Sequence, residues 1–430
     1  MRLGGRLAAA IEILGDIEAR HRPVADALKD WGLSHRFAGS GDRAAIGNIV
    51  YDALRRKRST AWLMDDDSAR GLAFGALMLE WGESPATLAA TLEGDRFAPP
   101  PLSDLEVAGV AGRNIDAAPD AIRADCPDWC TPLLEAAFGD RWVSEAAALA
   151  SRPPLDLRAN TLKADRAKIL PLFARNDARP GSLAPAAIRI PASAGGRRHP
   201  NVQAEPAFQK GWFEVQDEGS QAVALLAGAA PGMQVLDFCA GAGGKTLAMA
   251  AAMENTGQLH AFDADKQRLA PIFDRLRRAG CRNVQAGADL GALAPLEGQM
   301  DLVIVDAPCT GSGTWRRRPD AKWRLTARQL EQRVAEQAEI LDRASRYVKP
   351  GGRLAYITCS VFDAENRGQI AAFAERAPQF RPLDHGLLWN NAFGASGRPA
   401  LVTRDDGIRL TPHSTATDGF FISVLGRAPH

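Results

Sequence analysis

The stretch that decides the fold runs from a short apolar segment into a glycine-rich turn, Val235-Leu236-Asp237-Phe238-Cys239-Ala240-Gly241-Ala242-Gly243-Gly244-Lys245-Thr246. Outward from it, further apolar runs occur at residues 259–262, 302–305 and 354–357, with segments of helical periodicity between them. Continuous apolar strands that alternate with helices predict a parallel sheet covered by helices on both faces. We therefore predict a doubly wound, Rossmann-like α/β domain, with residues 420–425 as a last strand at the edge of the sheet.

The glycine-rich turn has the geometry of a nucleotide-binding loop, and three ligands compete for it. A P-loop fails because Cys239 stands where its first glycine is required. A dinucleotide fingerprint fails because Thr246 stands where its third glycine is required. The remaining pattern is Asp-x-x-x-Gly-x-Gly, with an acidic residue, Asp263, 20 positions beyond Gly243. A carboxylate at that place accepts hydrogen bonds from ribose hydroxyls, which favours S-adenosylmethionine over the alternative that the turn serves packing alone.

Two cysteines follow the third and fourth apolar runs, Cys309 in Asp-Ala-Pro-Cys and Cys359 in Thr-Cys-Ser. A single cysteine is most often a small buried apolar residue, but two at the carboxyl ends of parallel strands lie where doubly wound enzymes bind ligands. Carbon 5 of a pyrimidine attacks a sulfonium methyl only after a thiolate has added at carbon 6. Asp306 is suitably placed to hydrogen-bond the ring and support that addition.

Four motifs in this order, DFCAGAGGKT, AFDAD, VDAPCTGSG and YITCS, resemble the signature motifs of the Nop/Sun family of RNA (cytosine-5)-methyltransferases over about residues 140–430. The resemblance implies that Cys359 is the nucleophile and that Cys309 assists product release. It also implies that Asp306 and Lys245 support catalysis.

The resemblance further implies a set of cofactor contacts. These are Cys239, Ala240, Gly241, Ala242, Gly243, Gly244, Lys245, Asp263, Asp289 and Asp306. Asp289 follows a further predicted strand at residues 283–286. The family usually has Ala-Ala-Pro-Gly-Gly-Lys in the loop, whereas Gly241 and Ala242 here replace its second alanine and its proline, so we expect a looser turn.

A basic, tryptophan-containing segment directly after the Pro-Cys motif is the main candidate for RNA contact. Arginine and lysine neutralise phosphates, and tryptophan stacks on unpaired bases. The alternative is a solvated basic loop. The resemblance adds the Arg-x-Asn stretch that opens the family's core. The predicted RNA-binding residues are Arg158, Asn160, Trp315, Arg316, Arg317, Arg318 and Lys322.

The chain divides by pattern into three parts. Residues 1–138 are helical and resemble the NusB-like domain of the RsmB-type members, residues 139–210 have mixed α+β character, and residues 211–430 form the catalytic domain. In the last part, Thr326 and Gln329 are spaced as a capping box that predicts a helix from Thr326 to Tyr347. The NusB-like resemblance favours 16S ribosomal RNA as substrate. The alternatives are tRNA methylation and a ribosome-assembly factor whose catalysis is dispensable.

The amino-acid composition excludes several classes of protein and several kinds of site. The 430 residues carry 52 Lys and Arg against 51 Asp and Glu, so RNA contact must come from local basic patches rather than from net charge. The six cysteines form no CxxC pair and are too sparse for a disulfide framework, and no metal site is expected. No apolar run of 18 residues and no signal or transit peptide is found. We expect a monomeric, cytoplasmic protein.

Overall fold

The structure of the protein is a computed structural model that describes residues 1–394, 401–403 and 406–429. Helices dominate the first third of the chain, and strands and helices alternate afterwards. The α-helices are α1 (Leu3–Arg20), α2 (Val24–Ser34), α3 (Ser40–Arg55), α4 (Lys57–Met64), α5 (Ala69–Trp81), α6 (Pro85–Leu92), α7 (Asp104–Ala111), α8 (Asp120–Arg123), α9 (Thr131–Phe138), α10 (Trp142–Leu149), α11 (Arg166–Ile169), α12 (Pro206–Gln209), α13 (Glu218–Ala227), α14 (Gly244–Ala252), α15 (Lys266–Leu269), α16 (Ile272–Ala279), α17 (Pro319–Arg324), α18 (Ala327–Ala344), α19 (Arg367–Arg376) and α20 (His385–Phe393).

The strands fall into two sheets. They are β1 (Leu155–Ala159), β2 (Arg179–Pro180), β3 (Ala187–Ile190), β4 (Phe213–Val215), β5 (Gln234–Asp237), β6 (Gln258–Phe262), β7 (Val284–Gly287), β8 (Met300–Asp306), β9 (Val348–Thr358), β10 (Phe380–Pro382), β11 (Leu401–Thr403), β12 (Gly407–Leu410) and β13 (Phe420–Arg427). The small sheet has the order β2-β3-β1-β4, and the large one β11-β12-β13-β9-β8-β5-β6-β7, with β10 paired to β13.

The chain forms two compact units. The first comprises Met1–Pro153, Ala192–His199 and Trp315–Leu325, and the second comprises Pro154–Pro191, Pro200–Thr314 and Thr326–His430. The boundary predicted at residue 138 falls between α9 and α10, and the one predicted at residue 210 cuts off β4 from the rest of its sheet. The division into three domains stays a prediction.

The first unit is a helical assembly built on amphipathic stripes. Side chains such as Leu7, Ile46, Val50 and Phe74 are fully buried where α1, α3 and α5 pack together. Each of these helices turns one apolar face inward, as the 3.6-residue spacing of the sequence predicts. Within the described residues, no helix is long and apolar enough to cross a membrane.

The large sheet of the second unit confirms the doubly wound prediction. Strands β7, β6, β5, β8 and β9 are parallel neighbours, and β13, β12 and β11 extend the sheet in antiparallel fashion. The placement of β13 at the edge was wrong. It lies between β9 and β12, because the chain continues past β9 into β11 and β12, which close that side.

The parallel strands end at a common edge that carries the candidate site. Asp237 is the last residue of β5 and Asp306 the last of β8, while Cys359 directly follows β9. The capping box is confirmed, since Thr326 accepts from the backbone N–H of Gln329 and α18 begins at Ala327. The helix stops at Ala344 rather than Tyr347, because the next residues form one turn of 3-10 helix.

Candidate active site

The glycine-rich loop makes a tight turn between β5 and α14. Gly241 and Gly243 have φ angles of 49° and 84°, in the left-handed region that favours glycine. A Cβ on Gly243 would lie 2.5 Å from Ile272 Cγ1, so α16 packs directly against the turn. Ala242 can stand where the family has proline because the turn is closed by the backbone, with Gly243 N–H donating to Ala240 at 2.8 Å.

Asp263 follows β6 and is held against the glycine-rich loop. Its Oδ2 accepts from the backbone N–H of Gly241 at 2.9 Å, and its Oδ1 accepts from that of Asp265 at 2.9 Å. Each carboxylate oxygen has a second lone pair for a ribose hydroxyl. The exposed Asp289 lies just beyond β7, the next strand in the sheet. This donor and acceptor set fits S-adenosylmethionine, which residues 239–245, Asp263, Asp289 and Asp306 would hold.

A buried hydrogen bond fixes the other end of the loop. Thr246 Oγ1 donates to Asp237 Oδ2 at 2.6 Å, both side chains being inaccessible to solvent. Burial raises the pKa of Asp237 to about 7, although the Thr246 hydroxyl opposes that rise. This pair, which was not among the predicted site residues, joins the end of β5 to the first turn of α14.

An ion pair between Lys245 and Asp306 links the glycine-rich loop to the end of β8. The Nζ–Oδ2 distance is 2.7 Å, and the lysine ammonium also lies 5.0 Å from the centre of the Phe420 ring. Burial lowers the pKa of Lys245, but the neighbouring Asp306 outweighs this effect and leaves the pKa above its usual value. Lys245 is therefore cationic at neutral pH. Within the described part of the chain, Asp306 Oδ1 accepts no hydrogen bond, so it is available to a ligand.

The two predicted catalytic thiols lie side by side. Cys309 Sγ and Cys359 Sγ are 3.4 Å apart, although 50 positions separate them in the sequence. The hydrogen bond with Cys359 and burial raise the pKa of Cys309 well above its usual value. The charge of Cys359 contributes to the raised pKa of Lys245. The Cys309 thiol is thus kept protonated beside Cys359.

Polar contacts join the loop after β8, which carries Cys309, to the loop after β9, which carries Cys359. We call these the two cysteine loops. Gly313 N–H donates to the carbonyl of Cys359 at 2.9 Å, and the hydroxyls of Ser312 and Ser360 are 2.9 Å apart. Glu365 accepts from both the backbone N–H and the hydroxyl of Thr310. Glu365 was not among the predicted site residues, although it lies shortly after the Thr-Cys-Ser motif.

Two residues predicted to contact RNA have a different role, and that expectation was wrong. Arg158 and Asn160 are buried. Arg158 Nε donates to Gln216 Oε1 at 2.7 Å, and Gln216 Nε2 donates to the carbonyl of Gly244 at 3.2 Å. Asn160 Nδ2 donates to the carbonyls of Gly211 and Ala279, each at 2.8 Å. Both side chains therefore stabilise the fold by hydrogen bonds, and Arg158 supports the cofactor loop through Gln216.

The basic segment after the Pro-Cys loop also differs from expectation. The side chains of Trp315, Arg316 and Lys322 are buried in the protein, so the prediction that they contact RNA was wrong. Lys322 Nζ donates to the carbonyl of Arg55 at 3.1 Å, and Arg55 Nε donates to that of Arg316 at 2.7 Å. Composition alone does not distinguish a solvated basic loop from a basic segment that packs on a helix, so the sequence did not reveal this burial.

Two arginines of that segment are accessible to solvent. Arg317 is half-buried and Arg318 is exposed, so their RNA contact stays a prediction.

Across residues 1–394, 401–403 and 406–429 no cluster of three or more His, Cys, Asp or Glu side chains is arranged to hold a metal ion. Cys126 and Cys130 are buried in the helical unit.

Comparison with known proteins identifies the family. A family model described as 16S rRNA methyltransferase RsmB/F matches residues 224–426, and one described as the RsmF/B-like ferredoxin-like domain matches residues 126–194. Ribosomal RNA small subunit methyltransferase B of Citrobacter koseri is 30% identical over 410 residues, covering 89% of this chain and 90% of that protein. The Salmonella typhi protein of the same name is 31% identical with the same coverage.

A solved structure has the same fold. The crystal structure of PH0851 superposes with a TM-score of 0.71 and 24% identity, covering 99% of this chain and 100% of that one. The predicted resemblance to RsmB-type members of the Nop/Sun family is confirmed. The chain belongs to the RsmB/F family of 16S rRNA methyltransferases and is an RNA methyltransferase that uses S-adenosylmethionine.

Proposed function

We propose that the protein methylates carbon 5 of a cytosine in 16S ribosomal RNA through a covalent bond between Cys359 and carbon 6 of the base. The observation that supports this most strongly is the pair of thiols 3.4 Å apart beside the Lys245–Asp306 ion pair. A methyltransferase that acts on a base nitrogen or a ribose oxygen needs neither thiol, because those atoms are nucleophilic without prior addition to the ring.

The first step is addition of the Cys359 thiolate to carbon 6. The thiolate rather than the thiol is the nucleophile, and the cationic Lys245 supplies positive charge at this edge of the sheet, where it pairs with Asp306. Asp306 Oδ1 accepts a hydrogen bond from the exocyclic amine of the cytosine and orients the ring. Addition shifts the electron pair of the ring's double bond toward carbon 5, which becomes nucleophilic. When bound, S-adenosylmethionine supplies the methyl group that carbon 5 takes up.

Product release follows on the same residues. The proton on carbon 5 leaves to water, and the electron pair of that bond restores the double bond between carbons 5 and 6. The bond between carbon 6 and the Cys359 sulfur breaks at the same time. Cys309, whose raised pKa keeps it protonated, donates its proton to the departing sulfur, which lies within hydrogen-bond distance. The proton returns to Cys309 when Cys359 ionises for the next turnover.

The proposal that the substrate is ribosomal RNA is based on the named relatives, because the two thiols do not distinguish one RNA substrate from another. The two named relatives are small-subunit rRNA methyltransferases, and the match spans 89% of this chain, including most of the helical unit. Arg317 and Arg318 are the proposed phosphate contacts, because arginine pairs with phosphate in two-point geometry.

The test is methylation with a labelled methyl donor, using 16S rRNA and total tRNA in parallel reactions, followed by nucleoside mass spectrometry. We expect label in 5-methylcytidine of 16S rRNA. Label in tRNA alone would refute the substrate, and label on a base nitrogen or a ribose would refute the thiol chemistry. The monomeric state and the three-domain division are checked by light scattering and limited proteolysis.

A further inference from the structure

A buried carboxylate, Glu365, holds the loop that carries Cys309. Its Oε1 accepts from the backbone N–H of Thr310 at 2.8 Å, and its Oε2 accepts from the Thr310 hydroxyl at 2.5 Å. Thr310 is the next residue after Cys309. Both oxygens of one carboxylate therefore bind the residue that adjoins the thiol.

The other side of Cys309 is held through Gln337, on α18. Gln337 Nε2 donates to the carbonyl of Pro308 at 2.9 Å and to Glu365 Oε1 at 3.0 Å. Pro308 directly precedes Cys309. The backbone is thus fixed on both sides of the thiol by one hydrogen-bonded group with Glu365 at its centre.

Glu365 is also tied to the strand that leads to Cys359. The hydroxyl of Tyr356, on β9, donates to the backbone carbonyl of Glu365 at 2.8 Å. The neighbouring Asn366 accepts from Thr358 Oγ1 at 2.6 Å and donates to the carbonyl of Ser360 at 3.0 Å. The segment containing Glu365 therefore contacts both cysteine loops and sets their separation.

A fully buried carboxylate is costly unless its oxygens are hydrogen-bonded. Glu365 is 0% exposed, and both of its carboxylate oxygens accept hydrogen bonds. A leucine or glutamine would fill such a place at lower cost if only packing were required. Two of the three hydrogen bonds that its carboxylate accepts come from Thr310, and the third comes from Gln337, which also donates to the carbonyl of Pro308.

We propose that Glu365 is a positioning residue for Cys309, which it holds against Cys359 for the release step. This inference rests on the proposed function, because it assigns Glu365 to the proton transfer from Cys309 to the departing Cys359 sulfur. The first addition and the methyl transfer need Cys359 and Asp306 but not the Cys309 proton. Loss of the Glu365 contacts therefore slows release and leaves the covalent RNA adduct in place.

The experiment compares the purified full-length variants in two readouts, multiple-turnover methylation and the adduct band on a denaturing gel. Glu365→Ala removes both contacts to Thr310. Thr310→Val is a milder second variant, because it removes only the hydroxyl. Glu365→Gln is the conservative variant, since the amide oxygen still accepts from Thr310 N–H and the amide nitrogen can donate to the Thr310 hydroxyl. Cys309→Ala is the positive control for the adduct.

Glu218→Gln is the matched control for general destabilisation. Glu218 is another fully buried glutamate of the same unit, and its Oε1 accepts from the backbone N–H groups of Leu183 and Ala184. Melting temperature and S-adenosylmethionine binding are measured for every variant. A purely structural effect lowers these quantities without adding an adduct band.

We expect Glu365→Ala and Thr310→Val to accumulate adduct. Turnover of Glu365→Ala should fall about 10- to 100-fold, less than the roughly 10²- to 10⁴-fold effect of losing a proton donor, because Cys309 is displaced and not removed. We expect Glu365→Gln to turn over nearly normally and Glu218→Gln to give no adduct. If Cys309→Ala accumulates adduct but neither Glu365→Ala nor Thr310→Val does, the positioning role is overturned while the proposed function stands. If Cys309→Ala also gives none, the proposed release step itself fails.

Discussion

The tight turn of the cofactor loop is best tested by Gly243→Ala. Gly243 has a φ of 84°, and a Cβ there would lie 2.5 Å from Ile272 Cγ1 and 3.0 Å from Leu247 Cδ1. The left-handed conformation costs a non-glycine residue about 1–2 kcal/mol. Forcing an additional carbon into the packed contact with α16 costs about 1–3 kcal/mol more. We expect the free energy of unfolding to fall by about 2–5 kcal/mol in total.

The chain offers a matched control in Gly232→Ala. Gly232 also has a φ of 84°, but a Cβ there would meet nothing within 4 Å. This variant should lose only the conformational part, about 1–2 kcal/mol. The difference between the two variants, about 1–3 kcal/mol, isolates the packing of the cofactor loop on Ile272.

The assay is urea unfolding followed by circular dichroism, with S-adenosylmethionine affinity measured by calorimetry. Gly243→Ala should also weaken cofactor binding, because relief of the clash moves the loop away from Asp263, whereas Gly232→Ala should leave the affinity unchanged. Equal destabilisation by the two substitutions, or an unchanged affinity in Gly243→Ala, would refute the geometry assigned to this loop.

Three further predictions concern buried and exposed polar residues. Thr246→Val leaves Asp237 without its hydroxyl donor and should destabilise the protein by about 1–3 kcal/mol in urea unfolding; no change would mean that the Asp237–Thr246 bond is unimportant. Burial lowers the pKa of Lys322 from 10.5 to about 8, so between these values the unfolded chain binds more protons than the folded one and stability rises with pH. Lys322→Met should remove that rise, at most about 3 kcal/mol, and a pH profile identical to wild type would contradict it. Arg318→Glu should weaken RNA binding and reduce its salt dependence, because an exposed phosphate contact is lost, whereas Lys322→Met should leave RNA affinity unchanged; equal affinities of wild type and Arg318→Glu in a filter-binding salt titration would exclude that contact.

The sequence predicted the catalytic sheet well, because its signals are local and periodic. The apolar runs at β5, β6, β8 and β9 and the glycine-rich turn all appear where periodicity placed them. The order of the last strands was not accessible in this way. Residues 420–425 look the same as an edge strand or an interior one, and only the pairing with β12 decides between them.

The candidate site was predictable where a residue type has one plausible chemistry. The thiols of Cys309 and Cys359 meet, as expected for residues at the ends of neighbouring parallel strands. Burial was not predictable for the basic residues. Arg158 and Lys322 are charged residues that usually lie at the surface, yet both are buried among partners that are distant in sequence.

The most direct test of the central claim is to locate the covalent bond between enzyme and RNA. A 16S rRNA substrate that carries 5-fluorocytidine retains the adduct, because fluorine at carbon 5 cannot leave as the proton does. Peptide mass spectrometry of the trapped complex then identifies the linked residue. We predict a methylated nucleotide attached to Cys359 and no trapped complex with Cys359→Ala. A nucleotide attached to Cys309 instead, or methylation of RNA by Cys359→Ala, would contradict it.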